Sequence, residues 1–322
     1  MTNKLKYREF CKIEKDIPIF CRDWWLDSVC GKENWDVALV EKKDCIIASM
    51  PYYYTKKRSI YSINMPPLTQ VMGPYIKYPQ SQTYYKKLSF EKIVMNELIL
   101  YLPKFSNFYQ KFNFNITNWL PFYWNGYRQT TMYSYVIDDL SNLDSVYNNI
   151  SSNYRNKIRK AQKIVEIKKG LCIEDFYQLN MMVFERQKIK PPYSKNFIIE
   201  HDEYLNNNKA REIFYAIDKE GRMHSALYLT WDNNTSYLHM IGEDPNLRKD
   251  SAGILLIWEA IKYTKNILGI NKFDFEGSMI ESVEPVRRSF GAIQQPYFEI
   301  RKVNPSLYKT KNILKDLYHD LF

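Results

Sequence analysis

The stretch from Glu212 to Val303 constrains this chain most, because its turn chemistry and apolar spacing fix an order of elements. Glu212-Ile-Phe-Tyr-Ala-Ile-Asp218 reads as a strand, and Asp218-Lys-Glu-Gly221 supplies a hairpin turn with a glycine available for positive φ. His224 to Trp231 is a second strand, Asp232-Asn-Asn234 a second turn, and Ser236 to Gly242 a third strand, giving an antiparallel meander. A polar loop from Glu243 to Ser251 leads into a helix over Ala252 to Leu268, with Ile254, Trp258 and Ile261 on one stripe. A short strand at Lys272–Glu276 follows, then a helix over Glu281–Phe290 with Pro285 in its first turn. A strand at Gln295–Val303 and a closing helix with Leu314, Leu317 and Leu321 on its stripe end the series.

Three helices precede the meander: a basic one over Asn153–Val165, one over Ile173–Lys188 and a short one over Lys195–Asn206. The first half repeats the later order faintly. Trp35–Glu41, Cys45–Tyr54 and Ser59–Asn64 read as strands, Met65 to Pro74 as a Pro/Gly loop, Tyr85–Leu102 as a helix and Asn107–Ile116 as a strand. Two copies of one α/β (α+β) fold are therefore expected, residues 1–140 and 141–322, each a mixed, mainly antiparallel sheet flanked by helices. The polar cluster from Asp138 to Asp144 marks the expected boundary.

Composition removes several function classes. The chain has 322 residues, and 45% hydrophobic with 25% charged residues is the make-up of a globular protein, not of a disordered or coiled-coil one. No apolar run approaches the roughly 20 residues a bilayer span needs, and the first residues carry no apolar signal core, so an integral membrane or secreted protein is not expected. The five cysteines are scattered, no CxxC pair exists and only four histidines are present. A disulfide framework or a Cys/His zinc site is not expected on that pattern, and a reducing cytoplasm is the natural compartment. The net charge of +10 favours an anionic partner: nucleic acid, a nucleotide phosphate or a membrane surface.

Three segments, in this order, resemble the FemAB-like proteins of the GNAT acyltransferase superfamily. They are Ser151-Ser-Asn-Tyr-Arg-Asn-Lys-Ile-Arg-Lys-Ala-Gln-Lys163, Phe273-Asp-Phe-Glu-Gly-Ser278 and Val286-Arg-Arg-Ser-Phe-Gly291. The first is similar to the family's basic RxxIRKA helix, the second to its [YF]DFxG strand end, the third to its FKxxFG segment. A weaker likeness reaches the first half through Trp24-Trp25-Leu26-Asp27 and Pro66-Pro-Leu-Thr-Gln70. The resemblance implies two GNAT-like subdomains and transfer of an acyl or aminoacyl group to an amine of a cell-envelope precursor, an amino sugar or a peptide stem. Acyl-CoA or aminoacyl-tRNA would be the donor substrate, with no tightly bound cofactor or metal. The acceptor would be an anionic small molecule or a lipid-linked one, with tRNA and peripheral membrane contact as further partners. Two departures bear on the donor: no charged coiled-coil arm interrupts the second half, and Val286-Arg287 stands where the family has Phe-Lys.

Acylation of an amine needs a proton acceptor, an oxyanion stabiliser and reprotonation of the leaving group. Glu276 and Ser278 close the predicted strand, a place where α/β folds put substrates, and Glu276 is the candidate base. Ser278 serves equally as a helix cap. Glu243 and Asp244 are rival bases. Arg287, at the family's lysine position, is the candidate oxyanion or phosphate ligand, and the sequence does not choose between it and Arg288. Arg248-Lys249-Asp250-Ser251-Ala252-Gly253 is compatible at five of six positions with a GNAT pyrophosphate loop, with Ser251 in place of the first glycine. Arg155, Lys157 and Arg159 of the basic helix, and Gln70, are the candidate substrate-binding residues. His239, alone in mid-strand, reads as packing. Two rival readings are a basic RNA-binding module, for which no RNP1, KH or zinc-knuckle signature is present, and a catalytically silent scaffold of the same fold.

Overall fold

A computed structural model describes residues 1–57, 60–277 and 279–304. The chain divides into two compact units, Met1–Met132 together with the chain from Pro296, and Tyr133–Gln295. The first unit runs α1 (Asn3–Ile13), α2 (Asp23–Cys30), β1 (Trp35–Lys42), β2 (Cys45–Lys57), β3 (Ile60–Asn64), β4 (Tyr75–Ile76), α3 (Tyr84–Leu100), β5 (Asn107–Lys111) and α4 (Leu120–Trp124). β6 (Arg128–Ile137) leads into the second unit, which holds α5 (Leu143–Asn149), α6 (Ser152–Ala161), β7 (Val165–Lys169), α7 (Ile173–Gln187) and α8 (Lys195–Asn207). It continues with β8 (Arg211–Asp218), β9 (Met223–Trp231), β10 (Ser236–Glu243), α9 (Ala252–Asn266), β11 (Phe273–Asp274) and α10 (Glu284–Ser289), and β12 (Ile293–Val303) returns to the first unit.

Both sheets have one plan. In the second unit β7, β8, β9 and β10 are successive antiparallel neighbours, β11 joins β10 in parallel, and β6 closes antiparallel on β11. In the first, β1, β2 and β3 are antiparallel, β5 joins β3 in parallel, and β12 closes antiparallel on β5. A helix between the third strand and its parallel partner is what a parallel connection demands. Thus α9 carries Leu255, Leu256, Ala260 and Ile261 into the core formed with Phe214, Leu227, Leu229 and Phe273. In the first unit Val94, Met95 and Leu98 of α3 pack with Ala48, Met50, Ile63 and Phe108.

The two-copy reading therefore holds, and several boundaries move. The basic helix ends at Ala161, and Val165–Lys169 is a strand on β8. Its Lys168 and Lys169 disguise the β pattern of Val165 and Ile167. Lys272–Glu276 shrinks to Phe273–Asp274, because Glu276 takes φ +55° and leaves the extended region. The helix over Glu281–Phe290 begins only at Glu284, with Pro285 in its first turn as expected. The Asn107 strand stops at Lys111, short of Ile116. The closing helix with Leu314, Leu317 and Leu321, and the start of the Ser59 strand, lie outside the described residues. The two weakly matching segments of the first unit meet, since Trp25 Nε1 donates to Thr69 Oγ1 at 3.1 Å.

α7 lies so close on β10 that a Cβ at Gly242 would sit 2.7 Å from Leu179 Cβ and 2.8 Å from the Asn180 amide nitrogen. Gly242→Ala is therefore expected to cost about 1–3 kcal/mol through overpacking, read as a lower urea midpoint. An unchanged midpoint would mean that α7 can move off the strand without loss.

Candidate active site

The site forms where β10 and β11 part. The two strands pair only at Ser236 with Phe273 and Tyr237 with Asp274. Beyond that point the Phe275 amide donates to Tyr135 O at 2.9 Å, and Glu276 and Gly277 both turn to positive φ. On β10 the register with β9 slips between Leu238 and Met240, which makes His239 the extra residue of a bulge. His239 and Glu276 thus flank the gap, and their side chains close it: His239 Nδ1 lies 2.8 Å from Glu276 Oε1. An ionised carboxylate only accepts, so Nδ1 carries the proton and the tautomer is set. The His239 side chain is 1% exposed and that of Glu276 13%, so the carboxylate is the partner that reaches solvent.

Burial pushes the Glu276 carboxyl up, against the pull of His239 and Arg287. Arg287 comes from α10, with its guanidinium 5.4 Å from the centre of the Phe275 ring. Burial lowers it to about 10, while Glu276 and Asp274 raise it. Its Nε is shut off from solvent and has no hydrogen-bond partner among the described residues. Arg288, one residue on, has a side chain 70% exposed and pairs with Glu284 at 3.1 Å. Arg287 is thus turned inward against the Phe275 ring and Arg288 outward to the surface.

Asp274 supports the turn. Its Oδ1 accepts from Ser134 Oγ and, at 2.8 Å, from the Glu276 amide. Burial raises its carboxyl to about 7, against the hydrogen bonds from Ser134 and the Glu276 amide. Tyr154 of α6 stands edge-on to Phe290 with ring centres 5.6 Å apart. Its hydroxyl is raised by burial and lowered by Ser289, Arg248 and Arg287, so it lies within the field of both arginines.

The loop before α9 is built differently from a phosphate cradle. Arg248–Asp250 form one turn of 3₁₀ helix, and Ser251, at φ +62°, caps α9 without a side-chain hydrogen bond. A residue with a Cβ thus takes the left-handed conformation that glycine adopts at less cost. Arg248 Nε is 2.9 Å and Arg186 Nη1 3.4 Å from Glu243 Oε2. A Cβ on Gly253 would lie 3.3 Å from Ser225 Oγ and 3.5 Å from Glu243 Oε1. The Glu243 carboxyl, raised by burial against Arg248 and Arg186, hence sits against the first turn of α9 where an anion would be held. Ala252 is buried and Lys249 exposed.

The structure brings Glu276, Arg287, Asp274 and the Arg248 loop into the second unit, and α6 packs on α9 beside the Arg248 turn. Lys157 lies with its ammonium 5.0 Å from the Tyr154 ring centre, close to the same loop. Arg155 is turned back onto Asn148 O at 2.6 Å, and Arg159 onto Asn156 Oδ1. Gln70 belongs to the other unit, where Nε2 donates to Tyr297 Oη at 3.2 Å. Ser278 lies outside the described residues. Sequence reasoning missed His239, Tyr154 and Ser134. A histidine three residues after the start of the third strand carries no local signature of a bulge.

Residues 148–281 match the family model described as Acetyltransferase (GNAT) domain. The structure of FemX is similar over 93% of this chain and 96% of its own, with a TM-score of 0.69 and 12% identity. L-PGS from Bacillus licheniformis is similar over 94% of this chain and 93% of its own, at TM-score 0.56 and 10% identity. A tandem GNAT protein from the clavulanic acid biosynthesis pathway covers 93% and 94%, at 0.51 and 6%. None of the curated proteins matches the chain in sequence.

Asp274 gives the site a pH signature. The folded protein keeps to about pH 7 a proton that the unfolded chain releases near pH 4, so stability falls as pH rises through that window, by up to about 1.4 kcal/mol per unit. Asp274→Asn retains the Oδ1 acceptor and removes this slope. Urea unfolding at pH 5 and pH 7 is expected to show the variant gaining on the parent protein at the higher pH. An equal difference at both values would mean that Asp274 does not titrate in this range.

Residues 148–281 accordingly match a GNAT domain model, in a chain whose fold as a whole is similar to those of FemX and of a tandem GNAT protein.

Proposed function

We propose that this protein is an N-acyltransferase that passes an acyl or aminoacyl group to an amine of a cell-envelope precursor, with Glu276 as the base. The observation that carries the reading is the His239–Glu276 pair across the parting of β10 and β11, with Arg287 beside it. An amine nucleophile must shed a proton as its nitrogen bonds to the acyl carbon. Glu276 is raised by burial, retains slight exposure and is held by His239, which suits it to take that proton. As the new C–N bond forms, the carbonyl oxygen becomes an oxyanion, and Arg287 offers a fixed, poorly solvated cation for it. The oxyanion then collapses, the C–S or C–O bond to the donor breaks, and the proton held by Glu276 passes to the leaving thiolate or ribose alkoxide.

The loop before α9 favours aminoacyl-tRNA over acyl-CoA. A CoA diphosphate placed on α9 meets the Glu243 carboxylate, and Arg248, which would hold it, is already paired with Glu243. The basic face of α6 beside that loop, with exposed Arg159 and Lys160 and with Lys163 exposed just after the helix, suits a longer polyanion.

The test is transfer of a labelled acyl group from charged tRNA or acyl-CoA to amino-sugar and peptide-stem amines. Glu276→Gln is expected to lower turnover by about 10²–10⁴-fold with the melting temperature little changed. Arg287→Ala should lower it by about 10²-fold. Parent-like turnover in Glu276→Gln would remove the base, and transfer from neither donor would remove the acyltransferase reading.

A further inference from the structure

Eight of the nineteen large hydrophobic side chains exposed among the described residues lie on α3, its last cap residue and α4. Three of those on α3 and the three on α4 concern one surface. Along α3, Tyr85, Ile93 and Leu100 follow the helical repeat on the side away from the buried Val94, Met95 and Leu98. α4 lies against this helix, with Asn125 Nδ2 donating to Asn96 Oδ1 at 2.8 Å, and adds Leu120, Tyr123 and Trp124. Tyr85 is 79%, Leu100 76% and Trp124 55% exposed. α3 is thus apolar on two faces while only one is needed by the core, and its outer stripe from Tyr85 to Leu100 runs for about 22 Å.

The charges around the stripe are mostly positive. Lys92 holds its ammonium 5.2 Å from the Trp124 ring centre, Lys86 is exposed one residue from Tyr85, and Lys302 Nζ donates to Asn125 O at 2.8 Å beside α4. Of the carboxylates on α3, Glu91 is buried and accepts from Tyr78 and Asn118, which leaves Glu97 at the border of the stripe. Tyrosine and tryptophan at the level of lysine ammonium groups, over aliphatic tips, is the side-chain order that settles at a lipid headgroup boundary. No helix among the described residues is long and apolar enough to cross a membrane, so such contact would be lateral.

We infer that the α3–α4 face docks this protein on an anionic lipid bilayer, with Trp124, Tyr85 and Leu100 entering the headgroup region and Lys86 and Lys92 meeting lipid phosphates. The inference rests on the first unit alone and stands apart from the acyltransferase reading. The experiment is co-sedimentation of the full chain with sucrose-loaded vesicles of phosphatidylcholine, with and without phosphatidylglycerol. Binding is expected only with the anionic lipid and should weaken as salt rises. The double variant Lys86→Glu/Lys92→Glu is expected to bind at least about tenfold more weakly, and Trp124→Ser to lose binding at equal melting temperature. Equal pelleting with both lipids, no pelleting, or variants that bind like the parent would overturn the proposal. So would sedimentation velocity showing a dimer that Trp124→Ser dissociates, since a second copy would then be the occupant.

Discussion

The second unit is organised around one backbone event, the separation of β11 from β10 after two residue pairs. A parallel pair that stops inside a sheet leaves amides and carbonyls without ladder partners, and buried ones must be satisfied locally. Here the Phe275 amide turns to Tyr135 O and the Glu276 amide to Asp274. The left-handed φ of Glu276 costs on the order of 1 kcal/mol, which the rigid surroundings hold in place. The result is a carboxylate projected from a fixed turn into the gap, opposite a histidine projected from a bulge. Both irregularities serve the same contact.

The electrostatics follow from that placement. A carboxylate and a guanidinium are both drawn into a poorly solvated pocket, and each shifts toward its neutral form, Glu276 upward and Arg287 downward. Each also moderates the shift of the other, so neither group is an isolated buried charge. A second, separate pairing sits at the end of α9, where Glu243 takes Arg248 and Arg186. Arg248 and Arg186 are thus paired beside the α9 terminus, while Arg159 and Lys160 of α6 are exposed.

Much of the fold was legible from turn chemistry. Gly221 and the Asp232–Asn234 cluster bounded three strands to within about a residue, because hairpin turns tolerate few residue types. β7 was hidden by its lysines, and α1 and α2 lack a strong start signal in sequence. Glu276 and Arg287 could be named because they carry the family resemblance. His239 and Tyr154 could not, because their roles arise from a register slip and from packing of α6 against Phe290, neither of which is encoded locally.

The doubling allows an internal comparison. Superposing the parallel pairs, Ser62–Asn107 on Ser236–Phe273, sets Met65 at the position of His239 and Gln110 at that of Glu276. Met65 Sδ accepts from the Lys111 amide at 3.3 Å, and Gln110 is fully buried, its Nε2 bound to Pro51 O at 2.9 Å. The first unit has a thioether and a neutral amide at these positions, each with its own backbone partner and neither titrating near neutral pH. The parting of strands is therefore a property of the fold that either copy can stabilise without ionisable groups. A histidine–glutamate bridge in the second copy is more than closure requires, since it draws a charge into a dry site at a cost in stability. That excess is present in one copy of the two, at the pair proposed above to carry the chemistry.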